Sequence, residues 1–159
     1  MPLYREYSAN HKIYQSFKEN DNYKEVVFNS LSGGVIAVNS KRIAQSKLNN
    51  TEKEKYKKEY SMCETLFNNG YIVEFLEEIE GRYDIVLNGI PADLKKTKSH
   101  NNISHYAKYA LKNQKAEIVV FEFDEMTDEI RKKLNEMKRK GYNGKIIYFD
   151  SINKLIQTL

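Results

Sequence analysis

The sequence has little of several things, and each shortage excludes a class of protein. Among 159 residues there is one cysteine, Cys63, so neither a disulfide framework nor a cysteine-ligated zinc site can form. Two prolines and seven glycines exclude a fibrous or low-complexity chain. No stretch approaches the roughly 18 apolar residues of a membrane-spanning helix, and the mean hydropathy is −0.71. The opening residues, MPLYREYSANHKIYQSF, lack the apolar centre of a secretory leader, so no signal peptide is expected. No repeat with a period of about 20 to 50 residues is found, which argues against a solenoid.

What is present fits one ordinary globular domain: 40% hydrophobic residues, 30% charged residues, twelve tyrosines and seven phenylalanines. The formal charge of +4 permits a polyanionic partner without demanding one. The first fifty residues are rich in Asn, Ser, Lys and Tyr, and their periodicity is weak. Residues 1–24 are read as a lead-in or linker segment and 25–159 as the domain proper. Residues 3–18 suit a short helix. Glu25–Phe28 and Val35–Val38 flank a loop ending in Gly33-Gly34 and predict a hairpin. Residues 39–50 read as a polar loop.

From Thr51 onward the elements are better marked. Thr51 with Glu54 has the form of a helix cap, and Gly70 that of a helix stop, which predicts a helix ending at Asn69. Strands are expected over 71–78, 84–87, 90–96, 117–123 and 145–150. Helices are expected over 102–114, over 127–140 with Thr127 as cap and Gly141 as stop, and over 151–159. The resulting order, α-β-β-β-α-β-α-β-α, predicts an α/β fold: a mixed β-sheet flanked by helices, preceded by the N-terminal β-hairpin.

The most informative stretch runs from Tyr83 to Lys95. Asn88-Gly89 is a strong signal for a two-residue type I′ turn. Counting back from it sets Leu87 opposite Ile90 and Asp84 opposite Asp93, with Pro91 at a position that donates no ladder hydrogen bond. Lys95, two residues past Asp93, projects from the same face. Two carboxylates and an ammonium group converge in this register. Two readings are open. The aspartates are an ordinary solvated pair, or they hold a divalent cation that removes their repulsion. On the preceding helix, Tyr56, Met62, Cys63, Leu66 and Phe67 form one apolar stripe with Glu59 in its middle, whereas Glu64 points away. A carboxylate on that face needs a partner. Glu59 either pairs with a lysine at the core edge or completes an acidic site with the hairpin.

An acidic helix, Asp84 entering a strand, and Asp93-Leu94-Lys95 on the next strand resemble the PD-(D/E)xK nuclease superfamily. Tyr83 stands where that motif often has proline, and Asp93 where it more often has glutamate. Gly33-Gly34, the helix ending at Gly70, the Asn88-Gly89 hairpin and the helix leading into Ile118-Val119-Val120 are similar to one branch. That tRNase-like branch includes C-terminal nuclease toxin domains of contact-dependent growth inhibition and polymorphic toxin systems, and related domains of phage and mobile-element proteins. A histidine often follows the glycine pair there; here Asn39-Ser40-Lys41-Arg42 occupies that region, and nothing carries over to it.

The resemblance implies an α-β-β-β-α-β core and a metal-dependent endonuclease. Asp84, Asp93 and Glu59 would be acids of a Mg²⁺ or Mn²⁺ site, and Lys95 would orient the attacking water or neutralise charge on the phosphate. It implies a nucleic acid substrate (RNA or tRNA, or DNA) and a cognate immunity protein. It also implies action in a bacterial cytoplasm, with delivery as the C-terminal domain of a larger secreted toxin. Neither a membrane nor a small-molecule cofactor is expected. Lys96, Lys98, His105, Lys108 and Lys112 are candidate nucleic-acid contacts, with Tyr106 and Tyr109 nearby; a solvated helix face is the plainer reading of the lysines. Two alternatives stay open: a non-catalytic module of this fold that binds nucleic acid or a phage assembly, and a metal-free ribonuclease using His100 and His105.

Overall fold

The computed structural model describes residues 4–159. They form an α/β architecture with a mixed β-sheet and divide into two compact units: residues up to Ile79 with Asp84–Gly89, and Glu80–Tyr83 with Ile90–Leu159.

In the first unit, α1 (Tyr4–Lys18) precedes the hairpin of β1 (Tyr23–Phe28) and β2 (Val35–Asn39). The rings of Tyr7, His11 and Tyr14 gather around Phe28 at 5.0–5.5 Å, and Asn10 Nδ2 donates to the Gly33 carbonyl at 2.9 Å. Over its described part, the lead-in segment is therefore this helix and the start of β1. The crossover from β2 to the parallel strand β3 (Ile72–Phe75) is made by α2 (Ser40–Ser46) and α3 (Asn50–Asn68); β4 (Ile85–Leu87) runs antiparallel to β3. Gly34 opens β2 where the carbonyl of Phe67 passes so close that an added Cβ would sit 1.9 Å from its oxygen.

Two expectations fail here. Residues 39–50 are not simply a polar loop: Asn39 accepts the Lys41 N–H at 2.9 Å and caps α2, which buries Arg42 and Ile43. Nor does Thr51 cap the next helix. Asn49 does, accepting the Glu52 N–H at 2.8 Å, so α3 begins two residues earlier. Asparagine is at least as good an N-cap as threonine, and Asn49 stands first. The far end behaves as expected: Gly70 and Tyr71 donate back to Phe67 and Leu66 at 3.1 Å, the double bond of a Schellman stop.

In the second unit, β5 (Ile90–Thr97), β6 (Ile118–Phe123) and β7 (Lys145–Asp150) are parallel. Their crossovers are α4 (Ile103–Lys112), entered by a 3₁₀ turn over His100–Asn102, and α5 (Asp128–Arg139). Every residue of β6 is buried, as a central parallel strand covered on both faces requires, rather than on alternate positions. The core joins Ile103, Ala107 and Ala110 of α4 to Val119, Phe121 and Phe123 and to Ile130 and Leu134 of α5.

The helix expected over 151–159 is absent. Asp150 Oδ1 accepts the N–H groups of Ile152 (3.0 Å) and Asn153 (2.6 Å), Lys154 adopts φ 53°, and the chain returns as β8 (Gln157–Thr158), antiparallel to β7. An aspartate that binds the next amides in a turn competes directly with helix formation.

The two asparagine-versus-threonine readings separate experimentally. Asn49→Ala should lower stability by about 1 kcal/mol, the usual loss of an N-cap. Thr51→Ala, at an exposed position inside the helix, should stay within about 0.5 kcal/mol. Urea unfolding of both variants checks this.

Candidate active site

In the second unit, β5 carries Ala92, Asp93 and Leu94 in succession, all buried, with Asp93 only 1% exposed. Asp93 lies in register with Val119 of the central strand. Its Oδ2 lies 3.1 Å from Lys95 Nζ, yet receives no well-directed hydrogen bond, so the contact is an ion pair that leaves an oxygen lone pair open. The Lys95 ammonium sits 5.6 Å from the Tyr106 ring centre and 5.8 Å from that of Tyr109, in the range of a cation–π contact. Strand periodicity sets Asp93 and Lys95 on one face, and α4 supplies the two rings one turn apart.

The other basic candidates scatter. Lys96, on the opposite face of β5, pairs with buried Glu122 at 2.9 Å, and Ser151 Oγ donates to the same oxygen at 2.7 Å. Lys98 reaches Asp124 at 3.6 Å. His105 is exposed, with its ring near those of Tyr106 and Tyr109. Lys108 and Lys112 line a different surface, the groove between α4 and α5. Lys115 lies beyond the end of α4 with φ 59°.

In the first unit, Glu59 faces inward from α3 and Glu64 faces solvent, as the helical phase predicts. Glu59 is paired at the core edge, but with an arginine and not the lysine expected: Arg42 Nη2 donates to Oε2 at 3.0 Å. Arg42 is 1% exposed, with its guanidinium carbon 5.0 Å from the Phe75 ring centre and 5.3 Å from that of Tyr56. Sequence reasoning missed it, because a buried arginine is set by its aromatic surroundings and not by its neighbours in the chain. Burial pushes the Glu59 carboxyl above the usual glutamate range, opposed by the Arg42 hydrogen bond and charge and by Lys55. Burial pushes the Cys63 thiol well up, and the charges of Glu59 and Asp84 add to that, so both carboxylates lie within electrostatic reach of one buried, unionised thiol. The Asp84 carbonyl accepts the Leu76 N–H at 3.2 Å, tying this acid to the end of β3.

Among the described residues, no group of three or more His, Cys, Asp or Glu side chains is arranged to hold a metal ion. A Mg²⁺ site needs only one or two carboxylates, the rest being water and substrate oxygens. The open oxygen of Asp93 fits such a site, whereas Glu59 already spends Oε2 on Arg42.

In fold, the chain is similar to a chain of the CdiA-CT/CdiI toxin and immunity complex from Burkholderia pseudomallei, with a TM-score of 0.55 and 20% identity, over 71% of this chain and 89% of the matched one. No family model matches the chain, and no curated protein does. At that identity the likeness is one of fold.

Arg42→Met should cost about 3–5 kcal/mol, since it leaves the Glu59 charge buried without its partner. Adding Glu59→Gln should recover most of that loss. The pH dependence carries the same sign. A carboxyl raised in the folded state is favoured there while protonated, so its contribution is lost as pH rises from the ordinary glutamate value through the folded one. That loss should steepen in Arg42→Met and vanish in Glu59→Gln, as read from urea unfolding across pH.

Proposed function

We propose that the chain is a nuclease toxin domain that hydrolyses phosphodiester bonds of nucleic acid, with RNA, tRNA above all, as its first substrate and DNA as its second. The observation that carries this reading is Asp93: a carboxylate buried in a strand, beside an ammonium group two residues on, with an oxygen left open. Such a group is costly for stability alone, and it has the form of a cation ligand. The joining of Asp84 to Asp93 rests on the register counted from the Asn88-Gly89 turn, whose residues take the positive φ values (49° and 81°) of type I′. Asp84 and Asp93 would then hold Mg²⁺ or Mn²⁺, with Glu59 as the helix acid. When bound, the ion supplies Lewis acidity to the phosphate and acidifies a water. Lys95, steadied by Asp93 and by the two tyrosine rings, neutralises charge developing on the phosphate.

The fold likeness supports a toxin context. Of the two components of that complex, the basic charge and the Asp93-x-Lys95 pair suit the toxin. An immunity protein would then neutralise this domain, and its site of action would be the cytoplasm of a target bacterium, reached as the C-terminal part of a larger delivered protein.

Incubation with total RNA and with plasmid DNA, with and without EDTA, tests the reading. Cleavage should require the divalent ion. Asp93→Asn, Asp84→Asn and Lys95→Ala should each lower the rate by at least about a hundredfold, while their circular dichroism stays native. Full cleavage in EDTA would refute the metal reading and transfer the chemistry to His100 and His105.

A further inference from the structure

We propose that the groove between α4 and α5 is a second contact surface for nucleic acid, one that grips the phosphate backbone away from the Asp93–Lys95 face. This deepens the nuclease reading and rests on it for the choice of polyanion. The groove encloses about 400 Å³. Lys108 and Lys112 come from α4, Lys133 from α5 and Lys140 from its C-cap, against a single carboxylate, Glu136, which leaves three positive charges in excess. Glu136 is itself engaged by Lys140 at 2.7 Å and Lys133 at 3.9 Å, so it braces the α5 ammonium groups in place. Along each helix the lysines stand four and seven residues apart, about 6 and 10.5 Å of axial rise, which makes two short charged rails.

The walls offer little to a protein partner. Tyr142 is tied by its hydroxyl to the Ala107 carbonyl at 2.8 Å, and Met137 is buried in the core, so the groove lacks the free aromatic anchors on which protein interfaces depend. Charge without anchors matches a phosphate backbone. The two surfaces are separated by the phase of α4: Tyr106 and Tyr109 meet Lys95, whereas Ser104, Lys108 and Lys112 line the groove.

The test is binding of a fluorescein-labelled 30-nucleotide single-stranded RNA to the wild-type chain in EDTA, read by anisotropy over a series of salt concentrations. Lys108→Ala/Lys112→Ala should weaken binding about tenfold or more. It should also flatten the dependence of log affinity on log salt by about 1.4, which is two contacts at about 0.7 each for a single strand. Lys53→Ala/Lys58→Ala, which removes the same charge from exposed positions of α3, should change affinity less than about twofold. Equal behaviour of the two double variants, or unchanged binding by the groove variant, would overturn the proposal. Cleavage is scored separately with Mg²⁺ present, so a chain that binds through the groove but never cuts refutes the nuclease reading alone.

Discussion

Asp93 sits in a strand whose neighbours Ala92 and Leu94 are also buried, so its charge has little water to stabilise it. Taking a carboxylate out of water costs several kcal/mol even after the surroundings relax, and attraction to a nearby cation returns that only in good geometry. Much of the second unit can be understood as the response to that one charge. Lys95 projects on the same side and reaches Asp93 at 3.1 Å, and two tyrosines of α4 cover the ammonium. The small side chains Ala107 and Ala110 let α4 pack close enough to the strands to hold those rings there. The first unit shows the same logic with the signs reversed: Arg42 is the buried cation, Glu59 its partner, and Tyr56 and Phe75 the aromatic cover.

The helix α4 is the element through which the second unit distributes its polar chemistry. Its inner face is apolar and meets β6 and α5. One flank carries Tyr106 and Tyr109 toward Lys95, and the other carries Lys108 and Lys112 into the α4–α5 groove. A ten-residue helix can do this because a 100° step gives three usable faces within three turns.

Much of this was legible in the chain because it is local. The Gly70 and Gly141 helix stops, the Thr127 cap, the positive φ pair at Asn88-Gly89 and the span of β7 all follow from neighbouring residues. So does the shared face of Asp93 and Lys95, which strand periodicity alone dictates. What was missed depends on distant parts of the molecule or on competing local signals. The seven residues of α2 are too few and too polar to show a clear amphipathic period, and Arg42 is buried only because two aromatic rings from α3 and β3 surround it. Ile152, Leu155 and Ile156 mimic a helical stripe, but Asp150 captures the amides that such a helix would need, and Ile152 and Leu155 end up exposed. The helix expected over 102–114 in fact stops at Lys112.

The central claim is that the Asp93–Lys95 pair is kept for chemistry and not for stability. Its most direct test is equilibrium urea unfolding of Asp93→Leu/Lys95→Met, which replaces the buried carboxylate and its half-buried partner with apolar side chains of similar size. If the claim holds, the double variant is as stable as the wild type or more so, by up to about 4 kcal/mol, as when other buried ion pairs are replaced. A loss of about 3 kcal/mol or more, with the native fold otherwise retained, would show that the pair holds the structure together and would contradict the account.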